Sequence, residues 1–149
     1  MRFMLLLQYD EAAMMAGPPP DPAVFEAMGR FNTAMVDAGV LLAGEGLRPS
    51  SEGVLLRFDG EAGEAGEEPT VSDGPFTEAK ELVGGFWILD VPSREEAVAW
   101  ARRAPLGGGS TLQVRRVSEA SDFADVAPQG VLDAEEALRS RVAERTGQG

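Results

Sequence analysis

Neither cysteine nor histidine occurs anywhere in the 149 residues. Their absence excludes disulfides, thiolate nucleophiles, Cys/His zinc sites and any Ser–His–Asp triad. Chemistry is left to Asp, Glu, Lys, Arg, Tyr, Ser, Thr and backbone groups. Only hard, oxygen-ligated cations such as Mg²⁺ come into question as metals, and no strong carboxylate motif for one occurs, so neither a metal site nor a cofactor is expected. Positive charge is scarce too: 13 Lys+Arg face 25 Asp+Glu, for a formal charge of -12. Such a surface repels phosphate backbones and anionic lipid at long range, so neither direct nucleic-acid nor membrane contact is expected. Long apolar runs are missing as well. The stretch at residues 4–7 is too short to span a bilayer and has no small-residue cleavage site before Gln8, Tyr9 and Asp10, which makes a cytoplasmic location the expectation.

What is present is ordinary globular material, 44% hydrophobic and 26% charged. That length suits one domain, predicted here over residues 1–125, with a polar tail over 126–149 that holds a short helix. Residues 2–9 read as a central strand with apolar residues on both faces. Asp21 and Pro22, after three prolines, open a helix whose stripe of Val24, Met28, Phe31 and Met35 runs to about Ala38, where Gly39 supplies a left-handed cap. Residues 40–42 and 54–58 read as short strands of a meander. Residues 59–68 hold five acids, three glycines and no base, the composition of a solvated loop. Gly84 and Gly85 launch a strand over residues 86–91. Ser93 and Glu96 then form a capping box for a second helix, with Ala97, Trp100, Ala101 and Ala104 on one side and Pro105 as its stop. Residues 111–117 alternate as a last strand. The order strand, helix, strands, helix, strand predicts an α+β, ferredoxin-like antiparallel sheet with two helices on one face. The uncovered sheet face is expected to meet a second copy in a homodimer. For the C-terminal helix at residues 133–142, a frayed tail and a partner-binding element both stay open.

Several residues are candidates for chemistry. Asp73 precedes Gly74 and Pro75 and can serve either as an Asx-turn residue or, at the mouth of a cleft, as a general acid or base. Glu78, Lys80 and Glu81 lie beside it, with Lys80 as the candidate to hold an anionic group. Tyr9 and Trp87 are candidates for a pocket wall, which requires their polar tips to face open space. Arg48 and Arg57 are candidate forks for a carboxylate, and Lys80 or Arg57 is the choice to orient a substrate. The glycines at 107–109 lack the lysine and the strand-to-helix setting of a phosphate loop, and the methionines read as packing.

The run Ser72, Asp73, Gly74, Pro75, Phe76, Thr77, Glu78, Ala79, Lys80, Glu81, followed by Gly84, Gly85, Phe86 and Trp87, resembles the signature of the DGPF branch of the YCII-related family. The likeness extends to the opening six residues with Asp10 and Glu11, to Ala38 and Gly39 before Gly44 to Leu47, to Asp90, Val91 and Pro92, and to Val114 through Val117. It implies a dimeric α/β-barrel built from two ferredoxin-like halves. Members of the family are mostly uncharacterised, and some are encoded beside extracytoplasmic-function sigma factors. The wider family is similar to small enzymes with a histidine on the first helix and an acid before a proline after the second. This chain has neither, since Ala104 precedes Pro105. Two functions therefore stand side by side: a homodimer that binds a small molecule, with acid/base chemistry on a small polar metabolite, or a non-catalytic protein whose partner is a sigma factor.

Overall fold

The computed structural model describes residues 1–59, 68–76 and 81–147. The chain forms two compact units, Met1–Arg116 and Val117–Gly149.

In the first unit, strand β1 (Arg2–Tyr9) leads through a short helix α1 (Glu11–Ala16) to the long helix α2 (Pro22–Asp37) and strand β2 (Leu41–Gly46). A short ribbon of β3 (Val54–Arg57) and β4 (Thr70–Asp73) precedes β5 (Leu82–Asp90), helix α3 (Arg94–Ala101) and β6 (Ser110–Arg116). The main sheet has the order β2-β5-β1-β6, with every neighbouring pair antiparallel. That is the ferredoxin-like order: β1 is central, α2 carries the chain over β5 to the edge strand β2, and α3 carries it over β1 to β6.

The side-chain period of two decides which face is buried. Phe3 and Leu5 of β1 stand opposite Leu89 and Trp87 of β5, and all four are buried with Phe31 and Met35 of α2 and Ala97 and Trp100 of α3. Both helices thus lie on this face. Phe31 meets Trp87 edge to face, with ring centroids 5.9 Å apart, a favourable geometry for aromatic quadrupoles. The opposite face carries Met4, Leu6, Phe86 and Ile88, which are half-buried. The central strand therefore has one buried face, where burial on both was expected.

Local chemistry sets the helix ends. Asp21 accepts the Ala23 N–H at 2.8 Å, Pro22 starts α2 without an N–H to satisfy, and Gly39 takes a left-handed φ of 69° just past the end. Val24, expected on the buried stripe, is exposed, because it sits in the first turn, ahead of the part of α2 that reaches the core. Ser93 caps α3 by accepting the Glu96 N–H at 3.2 Å. The helix ends at Ala101, short of Pro105.

Three expectations change. The strands at residues 41–46 and 54–57 do not form a meander: β2 pairs with β5, whereas β3 pairs with β4 in a separate ribbon. Pro49 and the 3-10 turn Ser50–Glu52 turn the chain out of the main sheet between them. Gly84 and Gly85 lie inside β5 instead of before it. A short helix, α1, occupies residues where none was read. The acidic stretch of residues 59–68 falls almost wholly outside the described residues.

In the second unit, a 3-10 turn (Ala120–Phe123) with reciprocal Glu119 and Asp122 caps precedes helix α4 (Gln129–Thr146). It is longer at both ends than the predicted 133–142, because Gly130 masks its start and Gly147, at φ 70°, ends it. Intrahelical pairs such as Arg139 with Glu135 at 3.0 Å support it more than packing does, since Val131, Leu138 and Val142 are exposed. Among the described residues no helix is long and apolar enough to cross a membrane.

Candidate functional site

Where β1 ends, Asp10 caps α1 by accepting the Ala13 N–H at 2.9 Å. This sets Glu11, the first residue of α1, facing the 3-10 turn that follows Pro49. One Glu11 carboxylate oxygen accepts the Ser50 N–H at 2.7 Å, and the other accepts the Ser50 hydroxyl in a short contact. The Ser50 hydroxyl oxygen also accepts the Phe76 N–H at 3.3 Å. Beside it, the Gly74 N–H donates to the Gly53 carbonyl at 3.0 Å. The peptide between Gly74 and Pro75 is cis. Only glycine fits at 74: a Cβ there would lie 1.7 Å from the Ser50 carbonyl oxygen. Three segments distant in sequence are thus clasped together through one serine.

Two cavities flank the clasp. The larger, about 440 Å³, is walled by Asp10, Ala12, Met15, Ser51 and Pro75 together with the clasp. The smaller, about 290 Å³, is walled by Tyr9, Leu47, Arg48, Glu52 and Val83. Glu11, Pro49, Ser50, Phe76 and Leu82 line both. The larger volume lies within the range of small-molecule sites, and its mix of apolar walls with a few convergent polar groups is typical of them.

Tyr9 lies over Gly84, where a Cβ would come within 1.9 Å of its ring. The glycine inside β5 therefore makes room for the phenol. Burial raises the Tyr9 phenol above its ordinary value, and the nearby Glu11 charge raises it further. Tyr9 is the only tyrosine, so tyrosinate absorbance reads this group alone. Its midpoint is expected above that of a free tyrosine, and Glu11→Gln should bring it down by removing the repulsion. An unchanged midpoint in Glu11→Gln would refute the coupling. Because the folded value is the raised one, this contribution to stability is complete below about pH 10, the unfolded value, and is lost as pH climbs through the folded one.

The residues singled out from sequence scatter. Tyr9 lines the smaller cavity. Asp73 is exposed at the end of β4, opposite Val54, and lines neither cavity; a four-residue strand in a two-stranded ribbon offers it no burial. Arg57, at the end of β3 opposite Thr70, is likewise exposed and lines neither. Trp87 is a core residue, and its indole N–H is spent on Asn32 at 2.9 Å. A Cβ on Gly44 would come within 2.8 Å of its ring, so that glycine accommodates the indole. Lys80 and Glu78 lie outside the described residues, and Glu81 is exposed. Arg48 does line the smaller cavity, where it pairs with Glu52 at 2.6 Å. Their hydrogen bond raises the Arg48 guanidinium and lowers the Glu52 carboxyl from their ordinary values. Glu11 and Ser50 were not singled out. Asp10 followed by the helix-forming run Glu-Ala-Ala-Met-Met-Ala was the available signal for α1 and its first acid.

Residues 1–121 match the model of the YCII-related domain. The chain belongs to the YCII-related family. An uncharacterised protein of Rhizobium meliloti (strain 1021) is 33% identical over 103 residues, which is 68% of this chain and 78% of the relative. Residues 1–121, matched by the family model, take in all three segments of the clasp. Among solved structures, 5-chloro-2-hydroxyhydroquinone dehydrochlorinase (TftG) from Burkholderia phenoliruptrix AC1100, in complex with 2,5-dihydroxybenzoquinone, aligns with a TM-score of 0.41 at 13% identity. The alignment covers 82% of this YCII-related chain and 98% of that one.

Proposed function

We propose that this YCII-related chain, of the DGPF branch, is a small-molecule-binding protein whose site is the larger cavity beside the Glu11–Ser50 clasp. The observation that carries this reading is a cavity of about 440 Å³ beside a carboxylate oriented by two donors from Ser50. A carboxylate held in one position by protein donors keeps lone pairs for a ligand N–H or O–H, while Met15, Pro49, Pro75, Phe76 and Leu82 supply apolar contact. Glu11 takes the place first given to Asp73 as the acid at the site. The protein acts as a homodimer in this reading, with Met4, Leu6, Phe86 and Ile88 of the open sheet face buried against a second copy, as half-exposed apolar faces favour.

A thermal-shift screen against small metabolites tests the site. A ligand at about 100 times its dissociation constant adds about 2.7 kcal/mol, roughly 5–10 °C for a chain of this size. Hits should vanish in Ala12→Trp, which fills the cavity from its exposed helical wall, and survive in Asp73→Asn. Hits that persist in Ala12→Trp would remove the cavity from consideration. Light scattering on the eluting protein should return twice the chain mass; a monomer would refute the dimer.

A further inference from the structure

Among the described residues the two cavities share five in their walls, and two of these, Glu11 and Ser50, are bonded to each other. We infer that the Glu11–Ser50 clasp is a gate between two chambers, and that its opening creates one elongated cleft for a long, mainly apolar ligand bearing a hydroxyl donor. The inference rests on the larger cavity being a binding site.

The partition is made of few groups. Glu11 belongs to α1, a helix of six residues with none buried. Met14 and Met15 are exposed on it, and the glycine and three prolines of residues 17–20 follow. Little apolar burial holds α1 in place, so the charge-assisted bonds to Ser50 are its chief visible attachment at this end. The linings fit the ligand class. Pro49, Phe76 and Leu82 face both chambers, so an apolar body passing from one to the other stays in contact with the same surface. A ligand hydroxyl can then replace the Ser50 hydroxyl as donor to Glu11. In the smaller chamber, Tyr9 and Arg48 supply polar groups.

Two neutral alcohols of one and two rings, benzyl alcohol and biphenyl-4-ylmethanol, test this by titration calorimetry. The first fits one chamber and the second needs both. Ser50→Ala loosens the latch while leaving the Glu11 side chain in the wall; Glu11→Ala removes latch and wall together. In Ser50→Ala the ratio of two-ring to one-ring affinity should rise about tenfold over the wild type, and in Glu11→Ala, which removes the acceptor for the hydroxyl of both probes alike, the ratio should rise in the same direction. If only Glu11→Ala favours the larger probe, the partition is bulk and not a gate, and the inference is overturned. It is also overturned if the ratio of the two affinities is the same in all three proteins, although the cavity stands if Ala12→Trp excludes benzyl alcohol. Failure of both probes to bind any of the three proteins overturns gate and cavity alike. Circular dichroism of each variant establishes that the fold is retained.

Discussion

Gly74→Ala should cost about 3 kcal/mol, and the loss should be local in origin. The new methyl would lie 1.7 Å from the Ser50 carbonyl oxygen and 2.7 Å from its carbonyl carbon. Both are backbone atoms, so no rotamer change relieves the overlap, and either the Ser50 turn or the Gly74 segment must move by an ångström or more. Movement of either separates the Phe76 N–H from Ser50 and the Gly74 N–H from Gly53. The clasp therefore fails while the sheet, which contains neither segment, keeps its pairing. Hydrogen exchange should show lost protection at residues 74 and 76 with the β1 and β5 amides unaffected, and any metabolite found in the thermal-shift screen should no longer bind. If the segment stays docked and strained, the thermal midpoint should instead fall by about 6–12 °C. A variant with wild-type exchange and wild-type stability would show that the segment is not packed on Ser50 as described.

Leu89→Ala should destabilise the whole first unit by about 2–5 kcal/mol. Leu89 is 0% exposed, in the strand between β1 and β2, opposite Phe3 on one side and Leu41 on the other. It faces the layer where both α2 and α3 pack. Truncation there removes apolar area from water-excluded contact and leaves a cavity that a sheet hydrogen-bonded on both sides cannot collapse to fill. Leu138→Ala in α4 is the internal comparison: the same atoms are deleted, but Leu138 is 52% exposed and alanine is the better helix former, so the change should stay within about 0.5 kcal/mol. Urea unfolding followed by tryptophan fluorescence reads the first unit, since Trp87 and Trp100 both lie in its core, and the same unfolding followed by circular dichroism, to which α4 contributes, reads Leu138→Ala. Equal effects of the two substitutions would contradict the assignment of the core to the β5 inner face.

Several elements were legible because their signals are local. The stripe of α2 with Asp21, Pro22 and Gly39, the Ser93 cap of α3, the apolar run of β1 and the alternation of β6 each rest on residues within a turn or two of one another. The order of these elements, with the rule that successive elements pack as neighbours, led to the ferredoxin-like arrangement. Two misreadings have the same origin in reverse. Gly84 and Gly85 look like punctuation, but Gly84 sits within β5 because Tyr9, 75 residues away, needs the space. Residues 54–57 look like the next strand of the main sheet, yet they pair with residues 70–73, across a loop.

By itself, then, the sequence determined the chemistry that is excluded, through the missing histidine and cysteine. It also determined the helices and strands whose caps and periods lie within one segment, and the family, through motifs spread along roughly the first 125 residues. The site was decided by tertiary structure. Glu11 and Ser50 are 39 positions apart, and Ser50 and Phe76 are 26 apart. No local pattern marks a serine that will accept a backbone N–H and donate to a carboxylate at once. Asp73 carries the more suggestive motif, but the fold leaves it in water at a ribbon end, while the plain acid that opens α1 meets a partner. Burial and convergence are properties of the packed chain, and they separate Glu11, held by Ser50 beside a cavity, from acids such as Asp73 that a count of residues would treat alike.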